Sequence, residues 1–260
     1  MSAKIDRTGE VSYTKYGTKA VIVEYKSNKE VTVEFQDEYK YRYVVTYLHF
    51  KNGVIYNPFD RTVCGVGYMG TGEYAHVSHK NKELVHCYSI WTGMIGRCYM
   101  PKELRDKKSL SYESCKVCDE WLCFQKFAEW YFKNQYECFG EPLNIDKDIL
   151  CHQNKLYAPD RCLLLPRRIN LLFIRGESIR GDLPIGVSYY WYDNNRYLAS
   201  MKIGNRKSKR IGIYNTVDEA FQAYKHAKER YIKQIADEYR NVIPQHIYNA
   251  LYKYEILITD

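Results

Sequence analysis

The 260-residue chain has no long apolar run, and none of its hydrophobic segments approaches the roughly 18 residues that a membrane span needs. This excludes insertion into a bilayer. The first residues, MSAKIDRTGE, lack both the apolar core and the cleavage site of a secretory signal. The nine cysteines are odd in number and scattered, which argues against a disulfide framework. These absences predict a reduced, intracellular protein, and we expect it in the cytoplasm.

The sequence also lacks low-complexity stretches and exact internal repeats. Apolar residues make up 45% of the chain, ample for one large domain or for two to three small ones. The net charge is +8 and the isoelectric point is about 8.8. This favours a polyanionic partner without proving one, because many soluble enzymes are mildly basic. The 27 tyrosines, many beside Lys or Arg, suit half-buried sheets and also stacking on nucleic-acid bases.

The N-terminal part of the chain favours a sheet followed by helices. Residues 20–47 alternate β-branched and aromatic runs with the polar breaks SNK and QDE, which predicts a meander of three strands. The Gly-rich stretch 57–72 then closes a first module. Apolar residues recur at helical spacing across 87–98 and again across 121–131, so we predict two amphipathic helices.

A strand–strand–helix pattern follows Pro142. The run LNIDKDIL, 143–150, is typical of a strand, and YAPD predicts a turn. The run RCLLL, 161–165, predicts a second strand, and Pro166 begins a short helix with the sequence RRINLLF. This part of the chain is therefore a compact ββα unit.

The C-terminal part indicates a sheet packed on one long helix. GESIRGD, 176–182, is typical of a linker, and IGVSYYW, RYLASMKI and KRIGIY predict three strands. Thr216 and Glu219 form a capping box that begins the helix. We therefore predict an α+β protein. Its modules are an N-terminal β-rich module at 1–80, a helical and ββα domain at 81–175, a C-terminal sheet-and-helix domain at 183–240 and a tail at 241–260.

The ββα unit resembles the HNH endonuclease family of phage and intron homing enzymes. Ile145-Asp146 matches the first-strand carboxylate of that family, Asn154-Lys155 the loop, and Asn170 the helix ligand. The resemblance implies an enzyme that cuts or nicks DNA with Mg²⁺ or Mn²⁺ on Asp146 and Asn170. In such chemistry a divalent ion neutralises the leaving oxygen while deprotonated water attacks the phosphodiester.

The chain departs from the family at its general base, because Lys147 stands where the family has histidine. Lysine has an ordinary pKa of about 10.4, so it would be a poor base and would repel a cation. Asp148, expected on the same strand face as Asp146, or His152, near the loop, could replace it. The alternative is that Asp146 and Asp148 are solvated strand carboxylates and that His152 is an ordinary loop residue.

Cys115-Lys-Val-Cys118 is a possible zinc half-site. A tetrahedral zinc site needs two more ligands, and no second pair follows at a recognised spacing. The sequence therefore disfavours structural zinc and favours buried apolar cysteines.

Basic charge is concentrated near the C-terminus. Residues 164–233 carry 14 Lys and Arg against 6 Asp and Glu, an excess of 8 that equals the net charge of the whole chain. Within this part, 185–238 resembles the Apetala-two type DNA-binding domain in its Gly-Val start, its Arg-Tyr-x-Ala strand, its basic turn and its Thr-x-x-Glu-Ala helix. In that family the sheet enters the major groove of double-stranded DNA. The resemblance carries DNA contacts to Trp191, Arg196, Tyr197, Lys202, Arg206, Lys207, Lys209 and Arg210.

The alternation of RYLASMKI agrees with such a surface. Arg196 and Lys202 fall on one face of the strand, while Tyr197, Ala199 and Met201 fall on the other. One face is therefore partly basic and the other can cover the helix. Alternation turns Tyr197 toward the helix, although the family's DNA-facing aromatic maps to it. The alternative is a solvated basic hairpin on a generic α+β domain.

The leading hypothesis is an HNH endonuclease-like protein of phage or mobile-element type, acting in a bacterial or phage-infected cytoplasm. The second is a catalytically degenerate DNA binder, a regulator or counter-defence factor with the same folds and no cleavage. The third is a protein that contacts only other proteins. The sequence leaves the DNA target, the metal and the oligomeric state open.

Overall fold

The computed structural model describes residues 5–104, 112, 114–173, 182–203 and 207–259. By its internal packing the chain divides into two units, one of residues 1–104 and 119–129 and one of residues 105–118 and 130–260. This division does not test the finer module boundaries, which stay predictions. The predicted linker lies, apart from Asp182, outside the described residues.

The first unit contains a four-stranded antiparallel sheet in the order β1-β2-β3-β4. The strands are β1 Val11–Tyr13, β2 Lys19–Ser27, β3 Glu30–Phe35 and β4 Arg42–Val45. The predicted three-strand meander is confirmed as β2, β3 and β4. The edge strand β1 was not predicted, because three residues are too few to show an alternating pattern.

One face of this sheet is apolar, since alternate residues of a strand point to the same side. The fully buried Phe35 of β3 packs there with Phe50 of the short helix α1, Tyr47–Lys51. The Thr46 side chain caps α1 by accepting the backbone N–H of His49. This cluster is the core of the meander.

The two predicted amphipathic helices are present as α2, Lys82–Tyr99, and α3, Phe124–Asn134. The buried Trp91 of α2 donates its indole N–H to the backbone carbonyl of Trp121 at 2.7 Å. Trp121 itself lies in a short 3₁₀ turn ahead of α3. None of the helices in the described ranges combines the length and the apolar content that crossing a bilayer requires.

The second unit contains the ββα arrangement that the sequence predicts. Its elements are β5 Lys116–Val117, β6 Leu143–Asp146, β7 Leu156–Tyr157, β8 Leu163–Pro166 and α4 Arg167–Asn170. Strands β6 and β8 pair antiparallel, β5 and β7 pair parallel, and α4 packs against β6 and β8. Pro166 directly precedes α4, as its fixed φ and missing N–H favour.

The C-terminal sheet has the order β11-β10-β9 and packs on one long helix. Its elements are β9 Val187–Tyr190, β10 Asp193–Ile203, β11 Lys207–Tyr214 and the helix α5, Val217–Glu238, followed by α6, Gln245–Lys253. The predicted capping box of Thr216 and Glu219 is confirmed. The α+β fold class is therefore confirmed.

The Gly-Val pair at the start of β9 has a packing reason. Gly186 has φ +79°, and a Cβ there would overlap the ring of Tyr224 on α5. Only glycine fits this approach of the sheet to the helix, because L side chains rarely adopt this backbone conformation. On the same side of the sheet, Ala199 and Met201 of β10 are buried.

The buried face of α5 includes one charged residue, Lys228. Its side chain is 6% exposed and makes no hydrogen bond or ion pair with any described residue. Burial lowers the pKa of Lys228 to about 8, because the charged ammonium loses hydration. The folded chain therefore binds this proton more weakly than the unfolded chain does.

We expect Lys228→Met to raise the free energy of unfolding at pH 7 by about 3 kcal/mol, the equivalent of the lowered pKa. The gain should shrink as the pH rises from about 8 to about 10, since the wild-type lysine is then neutral when folded. Urea denaturation at several pH values measures both effects. Lys233→Met on the exposed face of the same helix is the matched control. Destabilisation by Lys228→Met would contradict the prediction.

Candidate functional site

The candidate metal ligand Asp146 is the last residue of β6, where it pairs with Leu163 of β8. Its side chain is buried, and Oδ1 accepts the backbone N–H groups of Asp148 at 2.9 Å and Ile149 at 3.0 Å. This Asx-type turn ends the strand. No described residue donates a hydrogen bond to Oδ2, so one carboxylate oxygen stays available.

The prediction that LNIDKDIL is one continuous strand is therefore wrong. The strand ends at Asp146, and Lys147 and Asp148 lie in the bend that follows. The expectation that Asp148 shares the strand face of Asp146 fails for the same reason. A strand would require the backbone N–H of Asp148 to extend the ladder, whereas here it turns back to the Asp146 carboxylate.

Burial, together with the smaller effect of the nearby charge of Asp148, raises the pKa of Asp146 to about 6. The two backbone N–H groups and the charge of Lys147 oppose this shift. A raised pKa in a buried carboxyl beside other charged groups is typical of functional sites.

Lys147, at the position of the family's general base, is itself buried and 7% exposed. Its ammonium lies 2.7 Å from Oδ1 of Asp148 and 5.8 Å from the centroid of the Tyr112 ring. The ion pair compensates the burial of the lysine charge. Lys147 and Asp148 are thus bound to each other beside the Asp146 carboxylate.

Asn154 closes the long loop between the strands. It is buried, and its amide N–H groups donate to the backbone carbonyls of Lys147 at 2.9 Å and Leu156 at 2.8 Å. Its amide oxygen accepts the N–H of Leu156 at 3.0 Å. The structure therefore gives this predicted site residue the role of holding the backbone of Lys147 in place.

His152 packs against the C-terminal tail. Its ring lies 4.8 Å from the ring of Tyr254, centroid to centroid, in a stacked arrangement. The structure therefore gives this predicted site residue a packing contact with the tail. No local pattern predicts this contact, because Tyr254 follows His152 by 102 positions in the chain.

Asn170 ends α4, and the fully buried Ile169 anchors it to the sheet. The Asn170 side chain is partly exposed and makes no hydrogen bond with any described residue. Its amide oxygen and Oδ2 of Asp146 are both available oxygen donors. Oxygen donors suit Mg²⁺ or Mn²⁺, and Mg²⁺ needs only one or two protein carboxylates beside water and substrate phosphate. The ligand chemistry of these two side chains therefore suits such an ion.

The Cys-x-x-Cys pair has a structural environment. Cys115 is buried, and the backbone N–H of Cys118 donates to the carbonyl of Tyr157 at 2.9 Å, next to the β5–β7 pair. Within the described ranges, no three His, Cys, Asp or Glu side chains lie together as a metal cluster. In the candidate pair Asp146 and Asn170, only Asp146 is of one of those four residue types.

The open face of the C-terminal sheet gathers cations and aromatic rings. Ser200 pairs with Arg210 and Lys202 with Ser208, so Lys202 and Arg210 share the face that points away from α5. The guanidinium of Arg210 lies 5.5 Å from the Tyr190 ring centroid, a cation–π distance. Tyr190 was missed from the sequence, although the alternation of VSYY would have placed it on this face.

The other predicted DNA contacts do not all lie on this face. Arg196 is exposed on β10, and Trp191, in the turn after β9, is 72% exposed. Lys207 and Lys209 pair with Ile203 and Met201, which puts them on the opposite side of the sheet from Arg210. Arg206 lies outside the described residues.

Tyr197 has the position that alternation predicts. It pairs directly with Tyr189 and Tyr214, and its ring centroid is 5.7 Å from that of Tyr189. It shares the strand face of the buried Ala199, toward α5. The orientation of Tyr197 therefore does not support a direct contact between its ring and a DNA base.

No protein-family model matches the sequence, and no curated protein or solved structure shows a significant similarity to it. The HNH and Apetala-two resemblances thus rest on the residues quoted above. The roles that they imply are proposals.

In the metal-free protein we expect the Asp146 carboxyl to titrate near pH 6, because its buried site disfavours the anion. Carboxyl ¹³C chemical shifts recorded across a pH series measure this midpoint. Asp148→Asn should lower it, since a neighbouring negative charge is removed. Asp237, whose pKa is lowered by hydrogen bonds from Tyr252 and Tyr248, is the internal control. A midpoint for Asp146 near 4 would overturn the assignment.

Proposed function

We propose that this protein binds double-stranded DNA through the open face of β9–β11 and cuts or nicks it at the ββα unit with a divalent ion, Mg²⁺ or Mn²⁺. The observation that carries the proposal is the shared face of Lys202 and Arg210, with Tyr190 beneath the guanidinium. Cations fixed on a sheet face can bind phosphates and base edges, and exposed rings can stack or pack in a groove.

The distribution of charge supports a DNA partner. Residues 164–233 account for an excess positive charge equal to that of the whole chain. Neither Lys202 nor Arg210 is paired with a described carboxylate, so their charges are free to meet phosphates. A sheet that packs on a helix through one face can insert its other face into the major groove of DNA.

Cleavage is proposed at Asp146 and Asn170, whose oxygen atoms would hold the ion. When bound, the ion neutralises the charge that develops on the leaving oxygen. Asn154 and the Asx turn keep the backbone of this corner fixed. Asp148 Oδ1 is occupied by Lys147, but the side chain remains partly exposed, so Oδ2 is the candidate acceptor for the proton of the attacking water.

A second function, DNA binding without cleavage, has its own supporting observation. The family's base position holds an ion-paired lysine, and the nearest histidine along the loop is stacked on Tyr254. On this alternative the ββα unit only grips DNA. The nine scattered cysteines of the sequence favour a reducing compartment for either function, which we propose to be the cytoplasm of a bacterial or phage-infected cell.

The double variant Lys202→Ala/Arg210→Ala should weaken binding to duplex DNA and reduce the slope of log affinity against log salt by about 2, one unit for each lost phosphate contact. Fluorescence anisotropy over a salt series gives both values. The matched control is Arg230→Ala/Lys233→Ala, which removes the same charge from exposed positions on α5. Equal losses in the two double variants would sink the assignment to this face. A protein that contacts only proteins would not bind the duplex at all.

Supercoiled plasmid incubated with Mg²⁺, Mn²⁺ or chelator separates the two functions. If the site is active, the wild type nicks in a metal-dependent way, and Asp146→Asn or Asn170→Ala lowers the rate by at least about 100-fold, because an ion ligand is lost. The control Asp160→Asn should nick normally, since this exposed carboxylate lies in the turn between the strands. If the Lys147→His variant nicks and the wild type does not, the wild type is a DNA binder whose site has lost its general base. Metal-dependent nicking that survives both ligand changes would refute the site.

A further inference from the structure

The end of α5 is attached to the ββα unit through a buried tyrosine. Tyr239, the C-terminal cap of α5, is 2% exposed, and its hydroxyl donates to Oε1 of Glu141 at 3.0 Å. Its ring centroid lies 5.5 Å from that of Phe139, edge to face. Glu141 and Phe139 directly precede β6, so the tyrosine joins the helix of the DNA-binding module to the strand that ends in Asp146.

An ion pair lies beside this tyrosine. Nη2 of Arg168, on α4, lies 2.6 Å from Oε2 of Glu238, the last residue of α5. The Arg168 guanidinium lies 5.7 Å from the centroid of the Tyr239 ring. A partly exposed pair by itself contributes little to stability. Here the ion pair adds a second contact at the end of α5, next to the buried Tyr239. We call Arg168, Glu238, Tyr239 and Glu141 the first bridge.

The C-terminal tail makes a second bridge between the same two parts. Tyr254 contacts the ββα unit, with its ring 4.8 Å from His152 and 4.7 Å from Phe173. Two residues later, Ile256 contacts α5, because its carbonyl accepts from Lys225 at 2.8 Å and its N–H donates to Glu229 at 2.9 Å. The tail therefore spans from the loop of the candidate nuclease site to the middle of α5.

We propose that Arg168 and Tyr239 are positioning residues that lock the C-terminal module to the ββα unit, so that bound DNA reaches Asp146 and Asn170 at one fixed offset from the recognised site. This inference rests on the proposed function for its consequence, but the lock itself does not require DNA. Domains joined by small polar contacts move relative to each other by default. Two bridges at separate points of α5 oppose that motion.

The lock is tested first without DNA. Spin labels on ketone-bearing unnatural residues at positions 160, in the β7–β8 turn, and 222, on exposed α5, report the distance between the two parts by pulsed EPR. The expected result for the wild type is one narrow distance peak. In Arg168→Ala/Tyr239→Phe, which removes the first bridge and keeps the second, the peak should broaden. Arg167→Ala, an exposed neighbour on the same helix turn, should keep it.

A charge exchange guards against a simple folding defect. Arg168→Glu alone should broaden the distance peak, because it places two negative charges side by side, and Arg168→Glu/Glu238→Arg should narrow it again, because the pair is restored with opposite signs. A broad distribution in the wild type, or a narrow peak that persists in the Arg168→Ala/Tyr239→Phe variant, overturns the lock. Neither outcome depends on DNA binding.

The consequence for DNA is tested with an iron chelate at position 160, which cuts nearby backbone by hydroxyl radicals without any nuclease activity. The duplex is one that the protein selects from a random pool. The wild type should cut a narrow window of positions, and Arg168→Ala/Tyr239→Phe a wider one at unchanged affinity. Equal windows overturn the fixed offset. Failure to select or bind any duplex instead refutes the proposed function and leaves the EPR result to decide the lock.

Discussion

The two hydrogen bonds from the backbone of the bend to Oδ1 of Asp146 determine the geometry of the candidate site. They end β6 at Asp146, and they turn Lys147 and Asp148 out of the sheet and toward each other. Asn154 then ties the carbonyl of Lys147 to the far end of the loop. Oδ2 of Asp146 accepts no hydrogen bond from a described residue, and α4, which ends at Asn170, packs against the same strand.

The burial of three charged side chains lowers the stability of this protein. The buried Asp146, the buried Lys147 and the unpaired Lys228 each lose hydration, and a residue chosen for packing alone would be apolar. Lys147 is compensated by Asp148, and Asp146 by two backbone N–H groups. Lys228 has no such partner among the described residues, and we have no functional account of it. Buried charged groups such as Asp146 and Lys147 are often found at functional sites.

The proposed DNA-binding face and the candidate nuclease site lie in one compact unit. Tyr239, Arg168 and Tyr254 make contacts that neither module would make alone. An enzyme that selects DNA in one place and cuts it in another needs such fixed geometry, since the reacting groups must be held in place. A DNA binder without cleavage would use the same contacts to enlarge its grip.

Periodicity and local chemistry were enough to predict the meander, the two amphipathic helices, the ββα order, the C-terminal sheet and the Thr216 capping box. These features depend on neighbours within a few residues, so a single sequence determines them. Concentrated basic charge was equally visible. The tertiary structure decided that β6 ends at Asp146, that Arg210 of β11 shares a face with Lys202, and that His152 stacks on Tyr254. The local sequence of LNIDKDIL suits both a strand and a turn. The face on which a cation of β11 lies depends on the register of its pairing with β10. Tyr239 and Glu141 are 98 positions apart in the chain, so no local pattern encodes their contact.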